Sequence, residues 1–190
     1  MKNALISCYF IFTLIWLTAA SATSVLPLTL EQLSTRASLI FYAEVTSNHT
    51  KLDERSGRIA TFTEFNIIEL IKGETKATHT IKQIGGYDPE SKTRLFIHGV
   101  PTFQVGKTYV LFLPTESTLG FSSPLGLFQG SYNVKTVNNE KVVSNGRSMD
   151  EPASADNNRA ITIPLAIDAH QPSQARLDDF INTIRSYNTP

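Results

Sequence analysis

Between Leu39 and Ile84 apolar residues recur at alternate positions within short runs, and glycine or charged residues separate the runs. A period of two belongs to strands with one face buried, so this stretch predicts a mainly β chain. Leu39, Phe41, Ala43 and Val45 alternate with Ile40, Tyr42 and Glu44, and the pleat is expected to bury the odd-numbered set. In Ile59 to Ile71 the phase changes between Phe65, Ile67 and Ile68, Leu70, which predicts a β-bulge. Lys72-Gly73-Glu74 reads as a turn, Thr78 to Ile84 as a strand stopping at Gly85-Gly86, and Arg94 to His98 as a short strand. Tyr109 to Leu113 is apolar without alternation, the mark of a strand covered on both faces, and is placed centrally.

Helical signals flank this core. Thr29-Leu30-Glu31-Gln32 fits a capping box ahead of a short N-terminal helix. Leu177, Phe180, Ile181 and Ile184 form the stripe of an amphipathic C-terminal helix, with Asp178 and Asp179 at its positive end. Leu125 to Tyr132, rich in glycine, predicts a bent strand or close backbone approach, and Asn138-Asn139 a hairpin joining Tyr132–Lys135 to Lys141–Ser144. Residues 145–160 read as a flexible polar loop, and Ile161 to Ile167 as a final strand before the helix, so that 161–190 closes the chain. The expectation is an antiparallel OB-like β-barrel, or a strongly bent sheet of five to seven strands, with both helices against it.

The first twenty-two residues carry a different message. Lys2, an apolar run of about 14 residues and the small residues Ala20-Ser21-Ala22 have the layout of a secretory signal, too short for the roughly 20 residues that cross a bilayer. Cleavage after Ala22 removes the chain's one cysteine, Cys8, and its one tryptophan, Trp16. Residues 23–190 then form a single domain, exported to the periplasm or the medium, held by packing alone. The lack of disulfides favours a bacterial exporter, in which the sequon Asn48-His49-Thr50 has no part. Seventeen basic residues balance seventeen acidic ones. Zero net charge gives no support for a nucleic-acid partner, and the sequence leaves the oligomeric state open.

Chemistry is sparse. His49, His79, His98 and His170 form no local metal-binding pair, so no metal site is expected. Gly120-Phe121-Ser122-Ser123-Pro124 lacks the second glycine and following helix of a nucleophile elbow, and no phosphate-cradling glycine loop exists. Glu44, Glu64 and Glu69 sit on strands, with nothing in their spacing to join them. No catalytic residue and no cofactor is assigned. The densest signal is Gly85-Gly86-Tyr87 followed by Gly99 to Leu113, where glycines permit close backbone approach and aromatics lie between turns. Gly85, Gly86, Tyr87, His98 and Phe103 are therefore the candidate binding residues, with Tyr87 and Phe103 as anchors. A plain turn function that sets strand register explains the same residues.

The segments Ala37 to Val45, Thr61 to Glu74 with its Leu70-Ile71-Lys72-Gly73 ending, Gly85-Gly86, and Pro101-Thr102-Phe103 through Leu113 resemble a family of small exported bacterial proteins of uncharacterised function, some encoded near matrixin-type metalloproteases. The strand order and the Lys-Gly turn also look like the netrin-type module of tissue inhibitors of metalloproteinases. That likeness implies an OB-like architecture only, because Thr23-Ser24-Val25 offers no disulfide-tethered N-terminal residue to reach a catalytic zinc. Together the readings point to a non-catalytic protein-binding module acting on a secreted protease or another exported protein. A small secreted hydrolase, with His98 meeting a buried carboxylate only in three dimensions, and a cell-envelope structural component are the alternatives.

Overall fold

The computed structural model describes residues 26–145 and 174–189. The signal segment 1–22, the 161–167 strand, His170 and nearly all of the polar loop lie outside the described residues.

Among the described residues nine strands form in the order β1 (Leu39–Asp53), β2 (Arg58–Lys72), β3 (Thr78–Ile84), β4 (Gly86–Asp88), β5 (Thr93–Leu95), β6 (Thr108–Leu113), β7 (Ser131–Val137), β8 (Glu140–Ser144) and β9 (Ala175–Arg176). Seven of them make one antiparallel sheet ordered β3-β2-β1-β6-β7-β8-β9, while β4 and β5 form a separate ribbon. The sheet is not closed into a barrel, contrary to the OB-like expectation. No pairing joins β3 to β9 among the described residues. The physical reason lies at the two edges: β9 is two residues long, and the carbonyl of Lys82 on β3 accepts from the Ser122 amide, so a loop rather than a strand meets that edge.

β6 stands at the centre of the sheet, with Val110, Leu111 and Phe112 fully buried, as its unalternating sequence requires. The β1–β2 ladder shifts register between Ile40 and Phe41, between Tyr42 and Ala43, and between Val45 and Ser47. Each shift leaves one residue unpaired, and the second, which skips Ile68, accounts for the phase change read in β2. Burial along β1 goes beyond the odd-numbered set, because Ile40 and Tyr42 are buried as well. The sheet is covered on both faces at that point, so neither pleat direction meets water.

Two core clusters divide the apolar residues accordingly. One gathers Ile40, Tyr42, Phe112, Tyr132 and Val143 with Leu33 of helix α1 (Leu30–Arg36) and Leu177, Phe180, Ile181 and Ile184 of helix α2 (Leu177–Ser186). Tyr132 and Phe180 rings lie 4.7 Å apart within it. The other gathers Phe41, Val45, Phe65, Ile81, Phe103, Tyr109 and Leu111. α1 starts in the capping box, Thr29 Oγ1 accepting from Gln32 N at 3.1 Å and Gln32 Oε1 accepting from Thr29 N at 3.2 Å. Ahead of it the fully buried Gln129 grips the chain: its Oε1 accepts from Leu28 N at 2.8 Å, and its Nε2 donates to Leu26 O at 3.1 Å. Gln129 belongs to a single 3-10 turn (Leu127–Gly130) in the stretch read as bent strand. Asn138 and Asn139 both take positive φ, which makes the tight β7–β8 hairpin. Among the described residues no helix is long and apolar enough to cross a membrane.

Candidate functional site

The second core cluster does not stay apolar along the sheet. On β2 the residues facing it run Ile59, Thr61, Thr63, Phe65, and the cross-strand partners of the two threonines are Thr50 and Asn48 on β1 and Gln83 and Ile81 on β3. Thr63 is buried, and its hydroxyl donates to Asn48 Oδ1 at 2.7 Å. Asn48 in turn donates from Nδ2 to the Phe103 carbonyl at 2.7 Å. Thr61 Oγ1 donates to Gly85 O at 2.7 Å and lies 2.9 Å from Thr50 Oγ1. With Thr61 donating to Gly85, the Thr50 hydroxyl is the donor of that pair. These four side chains thus satisfy one another and the backbone of the segments that fold across them.

Gln83 is the exception. Its residue is 3% exposed, and its Nε2 has no hydrogen-bond partner. A buried amide donor without an acceptor carries a desolvation cost of about 1–3 kcal/mol.

A cleft of ≈ 380 Å³ opens above this polar row. Its floor is Asn48, Thr50, Thr61, Thr63 and Gln83; Gly85, Gly86 and Tyr87 supply one wall with Arg94 and Leu95; Phe96, Ile97 and the stretch Val100 to Phe103 supply the other. Gly85 and Gly86 have φ of +100° and +127°. A Cβ on Gly86 would lie 2.3 Å from Thr61 Oγ1 and 2.6 Å from Thr50 Cγ2, so only glycine lets the β4 backbone settle on the threonines. The β4–β5 turn is held by the buried Asp88, whose carboxylate accepts from Ser91 Oγ at 2.5 Å and from the amides of Glu90 and Ser91. These bonds, the Ser91 hydroxyl first, hold Asp88 below the usual carboxylate range.

The structure brings four of the five predicted site residues to this cleft. Gly85, Gly86, Tyr87 and Phe103 line it, and His98 does not. Phe103 has a different job from the one expected of a surface anchor. It is 6% exposed, with its ring 5.3 Å from Phe65 and 5.1 Å from Tyr109, both edge-on. The exposed aromatics lining the cleft are Tyr87, at 47%, and Phe96, at 78%. Arg94 sits with its guanidinium carbon 5.4 Å from the Tyr87 ring centre. Sequence reasoning missed Arg94, Phe96, Gln83 and the hydroxyl row. One signal for the row was present: Thr61 and Thr63 occupy the same pleat phase as the core residue Phe65, so polar side chains stand where the alternation calls for apolar ones.

Other charged groups lie away from the cleft wall. Lys82 and Asp53 form a buried ion pair at 3.0 Å, and Ser56 donates from N and Oγ to the same carboxylate. The Ser56 hydroxyl and then Lys82 lower the Asp53 pKa. Lys82 also lies 4.6 Å from the Phe121 ring centre, tying β3 to the loop that caps its edge. His79 is packed 5.4 Å from Phe41, with Nδ1 3.0 Å from Thr75 Oγ1. Burial pushes its pKa below the ordinary 6.5, against a smaller opposing pull from Glu116. His98 is exposed, and the two buried carboxylates, Asp53 and Asp88, bond to serines and Lys82 instead. The hydrolase reading therefore gains no geometric support. Among the described residues no three His, Cys, Asp or Glu groups converge as metal ligands.

No protein-family profile matches the sequence, and no curated protein matches it significantly. The cleft must be read from its own chemistry.

Proposed function

We propose that this chain is an exported, non-catalytic protein-binding module, with the cleft beside β4 and β5 as its binding surface and another exported protein, a secreted protease foremost, as its partner. The observation that carries the reading is the pair of exposed aromatics, Tyr87 and Phe96, among the residues lining a cleft with a polar floor. Large aromatic side chains beside a concavity are the groups that most often dominate protein association. The cleft volume falls at the small end of the roughly 300–1,000 Å³ of ligand sites, a fit for one or two inserted side chains. Export to the periplasm or medium, and release of residues 23–190 as the working domain, belong to this proposal. So does kinship with the small exported bacterial family.

Co-purification tests it. The tagged mature chain, added to the secreted fraction of its own cells, is expected to retain a discrete exported protein that the Tyr87→Ala/Phe96→Ala double variant loses. If wild type and variant retain the same proteins, the choice of surface is wrong. Tight attachment of the mature chain to the cell envelope, with no exported partner, would favour the structural-component reading instead.

A further inference from the structure

The cleft that the proposed function rests on also carries information about what enters it. Three features specify the occupant. The walls supply apolar contact from Ile84, Leu95, Ile97, Val100 and Phe103. The floor holds one amide donor, Gln83 Nε2, with no acceptor. Arg94 is the one charged side chain in the lining, and it forms no salt bridge among the described residues.

We infer that the cleft receives an extended segment of a protein partner that inserts a large apolar side chain beside Tyr87 and Phe96, supplies a carbonyl oxygen to Gln83, and places an acidic residue against Arg94. The charge follows from complementarity. The lining contains a cation and no carboxylate, so a basic segment meets repulsion and an acidic one a charge-assisted hydrogen bond. The carbonyl follows from the floor. Thr50, Thr61, Thr63 and Asn48 are already occupied with each other and with the backbone, which leaves Gln83 as the donor still seeking an acceptor. A peptide provides carbonyls at regular spacing beside apolar side chains. A sugar presents mainly hydroxyls, and the floor's own hydroxyls are already paired with one another.

The test uses the whole mature chain and a random-peptide phage library. Enriched peptides are expected to carry Phe, Leu or another large apolar residue next to Asp or Glu. Repeating the selection on Arg94→Glu is expected to exchange the acidic preference for Lys or Arg, because Arg94 is exposed and its replacement leaves the fold intact. Gln83→Leu separates ligand recognition from architecture. It removes an orphaned donor, so the melting temperature is expected to hold or rise, while the best wild-type peptide binds roughly tenfold more weakly. A residue that served only the fold would lose stability and leave affinity alone. Enrichment without an acidic preference, a preference unmoved by Arg94→Glu, or an affinity unmoved by Gln83→Leu overturns the inference. So does binding to a glycan array with no peptide enriched. If partner capture still depends on Tyr87 and Phe96 while any of these occurs, the protein-binding reading survives and the acidic-segment inference alone falls.

Discussion

The two faces of the sheet are built from alternate residues of the same strands, yet they end differently. Beneath α1 and α2, Ile40, Tyr42, Phe112 and Tyr132 continue into Phe180 and Ile184 as one packed apolar cluster. On the other face, Phe41 and Phe65 lead to Thr63, Asn48, Gln83 and Thr61, and the packing gives way to a cleft. A face closed by an amphipathic helix needs only hydrophobic contact. A face closed by backbone folded across it needs side chains that bond to that backbone, and Asn48 to Phe103 O and Thr61 to Gly85 O are those bonds. The same arrangement leaves a concavity where a dry core would leave none. On the proposed reading, stability rests with the helix side and recognition with the cleft side.

Four tests probe that division. The largest effect is expected from Phe180→Ala, which removes a fully buried ring from the helix side and should lower stability by about 3–5 kcal/mol. Chemical denaturation measures this, and partner capture by the molecules that remain folded should be unchanged; capture lost in proportion to nothing but this ring would erase the distinction. Gly86→Ala comes next. Its Cβ meets Thr61 and Thr50, and its positive φ disfavours any side chain, so about 1–3 kcal/mol is expected, now with loss of binding. Retained partner affinity at reduced stability would show that the wall's position is irrelevant.

Acidification sharpens the comparison further. His79, on the cleft-side face, has its folded pKa below 6.5, so the unfolded chain takes up the proton first. Its contribution to stability is complete above pH 6.5 and is lost as the pH falls through the lower folded value. Asp53 and Asp88 also have lowered folded pKa values, so their contributions are complete above the ordinary 3.8 and are lost at still lower pH. Denaturation series should show stability falling in two stages on acidification, and His79→Gln should flatten the first stage. An unchanged slope from neutral pH to pH 5 would contradict this assignment. The smallest stability effect belongs to Tyr87→Ala and Phe96→Ala, each within about 0.5 kcal/mol because both rings are exposed. Thermal melts check that figure, and a large loss would mean that the aromatics serve the fold.

Much of the framework was legible in the sequence because it rests on local periodicity. Thr78–Ile84 emerges as a strand with the bounds its pattern predicts, β6 is central because it does not alternate, and Leu177, Phe180, Ile181 and Ile184 all bury. The capping box and the Asn138-Asn139 turn are likewise short-range. What periodicity cannot supply is which strands meet at an edge, and that decides between a closed barrel and this open sheet. The site was legible only in part for the same reason. Gly85, Gly86 and Tyr87 declare themselves through backbone freedom and aromatic character, but Phe103 lies in a segment without a period, so nothing local fixes whether its ring faces inward. Gln83 becomes unusual only when β2, β4 and the 96–103 segment surround it.

Hydrogen exchange of residues 23–190, alone and with a partner recovered in the capture experiment, tests the central claim most directly. The account predicts added protection at residues 83–87 and 94–103, with α2 and β8 unchanged. Protection confined to α2 and β8 would contradict it, because the partner would then sit on the face assigned to stability.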